Sequence, residues 1–175
     1  GGVRFFEQAH IKDVIAYLRI VRNPRDELAW LRVLQLIPKV GGGLAQRIWN
    51  RLSASPDPLQ TSAQPETAAL LPLQVQPFYS EFASALAAIA TLNAPADMLD
   101  AVMAKSYANY MESHYEHPSV RKEDIKGLIS FSAQYKDLSA FLAEVTLASE
   151  FAGENVVRGP QEQEFVVLST VHQAK

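Results

Sequence analysis

Three consecutive glycines, Gly41 to Gly43, separate two helical patterns in the stretch LQLIPKVGGGLAQRI at residues 34–48. Residues that lack a Cβ let a bound group approach the backbone closely, and the N–H groups at a helix start attract anions. Lys39 and Arg47 flank the turn with positive charge. The pattern therefore predicts contact with a phosphate backbone, which positions a nucleic acid without reading its sequence. The alternative is an ordinary turn between helices that needs glycine for its backbone dihedrals.

The other side chains that could carry chemistry give weaker indications. His114 and His117 lie three residues apart beside Glu112 and Glu116, which is half of a metal site at most. The alternative, favoured here, is a pair of last-turn histidines stabilised by the helix dipole. His10 lies among charged residues, so we expect it at the surface. The chain has neither the Gly-Lys-Ser/Thr of a P-loop at the right spacing nor a Gly-X-Ser-X-Gly nucleophile elbow, so no catalytic site is predicted.

Composition bounds the class of protein. The 175 residues are 48% apolar and 20% charged, which is typical of a globular domain with a sizeable core. The chain has no cysteine, which excludes disulfides and thiolate metal sites. No apolar run is long enough to span a bilayer and no secretory signal pattern opens the chain, so we expect a cytoplasmic location and no membrane partner.

The net charge of −3 hides an uneven distribution. Residues 1–51 contain nine Lys/Arg and four Asp/Glu, whereas residues 52–175 contain seven and fifteen. A polyanion would therefore be bound by the first 51 residues. The alternative is ordinary surface charge.

Apolar spacing predicts an all-α fold around these residues. Ile11 to Val21 repeats at helical spacing, and Asn23 is the expected N-cap of a second helix that continues to Pro38. Ser119 and Asp137 are expected to cap two later helices. Further helices are predicted over residues 44–52, 78–92, 95–115, 119–135 and 137–151. Aromatic side chains in these helices are expected in the core rather than in a stacking platform: Tyr107, Tyr110, Tyr115, Phe131 and Tyr135.

Two segments depart from the helical pattern. Residues 53–77 contain five of the ten prolines, so we expect a loop with one short turn near residues 66–71. Residues 164–170 form an apolar run typical of a strand buried on both faces. A single strand cannot form a sheet, so this run predicts partner strands from elsewhere.

The final residues, LSTVHQAK, closely resemble motif V of the UvrD/Rep/PcrA superfamily 1 DNA helicases. The opening stretch GGVRFFEQAHIKDVIAYLR resembles the segment that follows motif IV in the same family. IPKVGGG falls where those helicases have a Pro-x-x-Gly-Ile-Gly turn, and VRKEDIKGLISFSAQY resembles a later helix. The resemblance covers the two ends of the chain well and the proline-rich middle poorly.

This resemblance implies a defined place in a larger protein. In the family, the segment between these motifs is the 2B subdomain, a helical insertion in the second RecA-like motor domain, 2A. Residues 1–8 and 164–175 would be stubs of 2A that lie side by side, and residues 9–163 would be 2B. The parent would be an ATP-dependent helicase, moving 3′ to 5′, that uses ATP and Mg. The chain itself would hold no cofactor and would not hydrolyse ATP, because the Walker motifs lie outside it.

The resemblance also assigns roles to individual residues. Gly41 and Gly43 match the glycines that contact duplex DNA, and Gly42 replaces the isoleucine between them, which would loosen the turn. Thr170 and His172 match motif V positions that contact single-stranded DNA. The role of the matching lysine, Lys175, is left open.

His10 stands where the family has Glu, so the role of that Glu is not carried over to this chain.

From the resemblance as a whole, we expect an accessory subdomain that binds duplex DNA at a junction through Lys39, residues 41–43 and Arg47. It would also regulate unwinding by the rest of the motor. Binding by the separate chain should be weak and sensitive to salt. The alternative is a helical module that docks protein partners without binding DNA.

Overall fold

The computed structural model of the protein describes residues 2–157, and this part of the chain consists of helices and connecting turns, with no β-strand. The predicted all-α class is confirmed for these residues. The predicted strand at residues 164–170 and the motif V residues lie outside them. None of the described helices is long and apolar enough to cross a bilayer. The predicted division at residues 8–9 and 163–164 and the cytoplasmic location stay predictions.

The helices follow one another with short connections. Their bounds are α1 Gly2–Phe5, α2 Ala9–Arg22, α3 Glu27–Leu34, α4 Gly42–Ser53, α5 Pro58–Ser62, α6 Pro65–Ala68, α7 Gln76–Ala90, α8 Pro95–Val102, a π-helix Met103–Tyr107, α9 Ala108–His114, α10 Pro118–Ser132 and α11 Leu138–Val157.

Helix α2 is the centre of the fold. It contacts α3, α7, α8, α10 and α11, and nine of its fourteen residues are buried. Each aliphatic side chain that α2 buries contributes about 1.5–3 kcal/mol to the stability of the fold. The helix therefore organises the core. The largest fully buried side chains of the core include Tyr17 on α2 itself, and Trp30, Leu52, Leu86 and Phe141 on other helices. Helix α1 contacts α11, so the first and last described elements are neighbours.

Two predicted caps are wrong. Asp26, rather than Asn23, is the N-cap of α3, because its carboxylate accepts the N–H of Ala29 at 3.0 Å. The side chain of Asn23 instead accepts the N–H of Arg25 within the preceding turn. Helix α10 begins at Pro118 with His117 as its N-cap, so Ser119 lies inside the helix. The cap at Asp137 is confirmed, since its carboxylate accepts the N–H of Ala140 at 3.0 Å.

The loop predicted for residues 53–77 is wrong in part, because two short helices form there. Asp57 caps α5 by accepting the N–H of Gln60, and Pro58 occupies the first helical turn. A proline at that position costs no hydrogen bond and has a helical φ already. The segment is fixed to the core, since the buried hydroxyl of Tyr79 donates to the Ser62 carbonyl at 2.9 Å.

Candidate nucleic-acid interface

The connection between α3 and α4 is a tight turn held by two buried side chains. Ile37 and Val40 are each 5% exposed, and the N–H of Val40 donates to the Ile37 carbonyl at 3.0 Å. The two residues between them, Pro38 and Lys39, are exposed. Lys39 has a φ of 66°, and proline followed by a left-handed residue is the pattern of a type II turn. The fold therefore holds the ammonium group of Lys39 at the tip of the turn.

The start of α4 is open to solvent. Gly41 is the N-cap residue, and no side chain caps the helix. The N–H of Ala45 makes the first helical hydrogen bond, to the Gly41 carbonyl at 3.0 Å. The N–H groups of the first turn have no capping side chain and lie behind exposed glycines at the positive end of the helix dipole. This arrangement suits an anion.

The fold does not need these glycines. A Cβ added at Gly41 or Gly43 would meet no atom within 4 Å, and one at Gly42 would meet only Gln35 Oε1, at 3.9 Å. Among the described residues, the left-handed φ belongs to Lys39 and to no glycine. The interpretation that the turn needs glycine for its dihedrals is therefore wrong. What the glycines provide is a surface without side chains over the N–H groups of α4.

Lys39 and Arg47 both contact the segment that follows α6. The Nζ of Lys39 lies 3.4 Å from Oε1 of Gln74, and Nη1 of Arg47 lies 3.4 Å from the carbonyl oxygen of Leu70. Both contacts are long and exposed, and neither cation forms an ion pair within the described part of the chain. Both positive charges are therefore available to a ligand.

The solvent-facing side of α4 extends the positive surface. Arg47 and Arg51 are one turn apart and exposed, and Gln46 donates to Asn50 beside them at 3.1 Å. No Asp or Glu occurs in residues 28–56. The opposite side of α4 is buried in the core and includes Ile48, Trp49 and Leu52. This packing keeps the side that carries Arg47 and Arg51 facing solvent.

Sequence reasoning missed a buried polar cluster beneath α3. Asp13 is 5% exposed, and its two oxygens accept hydrogen bonds from Arg32 Nε at 2.7 Å and from the Tyr107 hydroxyl at 2.6 Å. Burial and the neighbouring carboxylate raise the pKa of Tyr107 far above its usual range. Asp13 lies one turn before the buried Tyr17 on α2, so an acid within an apolar stripe was the available signal.

The expectation of a surface position for His10 is wrong. His10 is 1% exposed, and its Nε2 lies 3.0 Å from Oδ2 of Asp124. Burial lowers the pKa of His10, and Asp124 partly offsets that effect. Because α2 is buried on nearly every side, residues that read as polar in the sequence lie inside the fold. His10 therefore joins α2 to α10.

The remaining predicted histidines and aromatic residues stack on neighbouring rings, begin a helix or pack against the core. His114 stacks on Tyr110 with ring centroids 3.9 Å apart, and His117 precedes α10 as its N-cap. Within residues 2–157, no group of three or more potential metal ligands is found. Core positions are confirmed for the five aromatic residues predicted to pack there, of which Tyr107 is fully buried and the others pack against the core as partly buried side chains: Tyr110, Tyr115, Phe131 and Tyr135.

The second predicted site, Thr170, His172 and Lys175, lies outside the described residues, as does Gly1. The contacts assigned to Thr170 and His172 therefore stay predictions, and no contact was assigned to Lys175. Of the first predicted site, the structure shows exposed glycines at the start of α4, with Lys39 in the turn before them and Arg47 on the helix after them.

The family model of the UvrD-like helicase C-terminal domain matches residues 1–57, which include α2, α3, the turn and α4. The chain is similar along its whole length to the probable DNA helicase II homolog of Rickettsia conorii, with 26% identity over 192 positions that cover 100% of this chain and 27% of that protein. DNA helicase II of Haemophilus influenzae is 26% identical over 199 positions, covering 100% of this chain and 26% of its own length.

A shorter match has a higher sequence identity. The ATP-dependent DNA helicase PcrA of Bacillus subtilis is 44% identical over 43 positions, which cover 25% of this chain and 6% of that protein. The two helicase II proteins match the whole of this chain, but the chain spans only about a quarter of their length. These comparisons confirm the predicted resemblance to UvrD-like DNA helicases.

Proposed function

We propose that the chain is an accessory helical segment, corresponding to the 2B subdomain, of an ATP-dependent superfamily 1 DNA helicase. Its own role is to hold the backbone of duplex DNA next to the strand junction and to regulate unwinding by the rest of the motor. The parent protein binds ATP and Mg and hydrolyses ATP. Thr170 and His172 contribute to the single-strand path in that assembled motor.

The observation that carries the proposal is the exposed start of α4. Within residues 2–157, the three glycines have no close packing partner and the N–H groups at the start of α4 have no capping side chain. The cations that precede and follow the glycines, Lys39 and Arg47, form no ion pair in that part of the chain. A phosphate can approach such a helix start to hydrogen-bonding distance. Backbone contacts of this kind carry no sequence information, as expected of a subdomain that must follow any duplex. The pair α3 and α4 then acts as a helix-hairpin-helix element.

The proposal is tested by charge reversal at the turn. The double variant Lys39→Glu, Arg47→Glu should lose duplex binding at low salt, measured by fluorescence anisotropy with the 175-residue chain. The matched control Lys126→Glu, Lys136→Glu makes the same change in net charge at two exposed positions on and after α10, and it should bind within about twofold of wild type. Equal loss in both variants would show a general effect of net charge. Unchanged binding in the first, with capture of a protein partner, would favour the protein-docking alternative.

A further inference from the structure

A second surface lies directly beside the proposed phosphate site. The segment from Leu70 to Phe78 borders the turn along its length, through the contacts of Arg47 with the Leu70 carbonyl and of Lys39 with Gln74. Phe78 lines one cavity together with Pro38 of the turn. A ligand held by both cations would therefore lie next to this segment.

The segment presents apolar side chains to solvent. Leu73 is 84% exposed, and Leu70 and Phe78 are 38% and 39% exposed. Leu71 and Val75, on either side of Leu73, are buried, and the Val75 N–H donates to the Pro72 carbonyl at 2.8 Å. Because both neighbours are anchored in the core, the backbone is fixed and Leu73 is held outward. Its exposure is built into the fold.

An apolar side chain gains nothing from a phosphate. A continuous duplex exposes only small apolar surfaces, chiefly thymine methyl groups and sugar carbons. The large apolar surfaces of DNA are the faces of its bases, which become accessible where a base is unpaired or a step is opened. Leucine is among the side chains that proteins insert at such steps. The neighbouring charge favours DNA as the occupant, because residues 28–56 contain no acid, and Lys39, Arg47 and Arg51 form no ion pair within the described residues. The cavity that Phe78 lines includes Glu81 and Lys105 among its lining residues, and their opposite charges add no net charge to this surface.

We infer that Leu73 packs against an unpaired base at the junction between duplex and single strand, while Lys39, Arg47 and the start of α4 hold the adjacent duplex phosphates. The inference rests on the proposed function and adds a substrate preference to it. The surface binds a forked DNA more tightly than a continuous duplex of the same length, and Leu73 provides the difference.

The test compares two labelled DNAs with the 175-residue chain at low salt: a blunt duplex, and the same duplex extended by unpaired arms. Wild type should bind the fork more tightly. Leu73→Ser should weaken fork binding by about ten- to a hundredfold, the range for losing the burial of one leucine side chain, and should change blunt-duplex binding less than about twofold. Since Leu73 is exposed, thermal unfolding of the variant should match wild type.

Leu28→Ser is the matched control, because Leu28 is 74% exposed but lies in the first turn of α3, at the end away from the phosphate site. It should bind both DNAs as wild type does. Equal wild-type affinity for the two DNAs, or equal weakening of both by Leu73→Ser, overturns the inference and leaves the proposed function standing. Failure of wild type to bind either DNA overturns the proposed function itself.

Discussion

The Nε of Arg32 lies 2.7 Å from Oδ1 of Asp13, which joins the last turn of α3 to the buried face of α2. The second carboxylate oxygen of Asp13 accepts the hydroxyl of Tyr107 at 2.6 Å, so one acid links three elements. Since α3 leads into the turn that carries Lys39, this cluster sets the position of the proposed DNA-binding surface.

Removing the acid should destabilise the fold strongly. Asp13→Ala leaves the buried Tyr107 hydroxyl without its acceptor and Arg32 without its partner, so the free energy of unfolding should fall by about 2–4 kcal/mol. Urea denaturation followed by circular dichroism measures the change. Lys126→Ala, which breaks an exposed pair with Glu123, should cost less than about 0.5 kcal/mol. Similar losses in the two variants would contradict a structural role for the cluster.

Lys39 should show opposite effects on stability and on binding. Its φ of 66° costs a non-glycine residue about 1–2 kcal/mol, so Lys39→Gly should raise the free energy of unfolding by roughly 0.5–1 kcal/mol after the entropy cost of glycine. The same variant should bind duplex more weakly because a phosphate contact is lost. Lys39→Ala loses the same charge but keeps the strained φ, and it should therefore weaken binding without a gain in stability. A Lys39→Gly chain that binds as well as wild type would argue against the contact.

The variant Gly43→Ala tests whether the glycines are needed for phosphate binding or for the fold. Gly43→Ala meets no atom within 4 Å and lies in a helix, so it should stabilise the fold by up to about 1 kcal/mol. Its methyl group would nevertheless stand where a phosphate approaches the N–H groups, and duplex affinity should fall several-fold.

Gly127→Ala is the control for this pair of effects. Gly127 lies inside α10 with equally open surroundings, so alanine there should stabilise the fold to a similar extent and leave binding unchanged. Thermal unfolding and anisotropy together give both quantities. Undiminished duplex affinity in Gly43→Ala would remove the reason for proposing close phosphate contact.

Stability should decrease in mild acid because of His10. Burial holds the pKa of His10 below its ordinary value of 6.5, so below that pH the unfolded chain takes up a proton that the folded chain resists. Stability should be highest above pH 6.5 and should fall as the pH drops toward the lowered pKa.

The groups that face His10 are Asp124 and Arg121 on α10 and Asp13 on α2. His10→Gln can still donate to Asp124 but does not titrate, so the dependence between about pH 7.5 and 5.5 should flatten. Urea unfolding at several pH values measures each curve, and an unchanged slope in His10→Gln would assign the titration elsewhere.

Much of the helical fold could be predicted from apolar spacing, because amphipathic segments such as α4 and α7 bury one clear face. The proline-rich stretch was harder. Proline forbids a long helix, yet Pro58 and Pro65 open helices of five and four residues because the first turn lacks a hydrogen-bond partner in any case. Long-range partners were not predictable at all: nothing near His10 in the sequence points to Asp124.

The candidate site was predictable in its residues but not in its geometry. The glycines and flanking cations stand out in the sequence, whereas the left-handed φ at Lys39 depends on the burial of Ile37 and Val40 on either side. Leu73 carries no local signal, since its importance comes from contacts between its segment and the turn. Tertiary packing decided both features.

The salt dependence of duplex binding tests the central claim most directly. If Lys39 and Arg47 each neutralise a phosphate, the plot of log affinity against log salt for wild type should be steeper than that for Lys39→Ala, Arg47→Ala by about 1.8, because each released counterion contributes about 0.9. Parallel lines for the two proteins would contradict the account, because they would mean that neither cation contacts the DNA backbone.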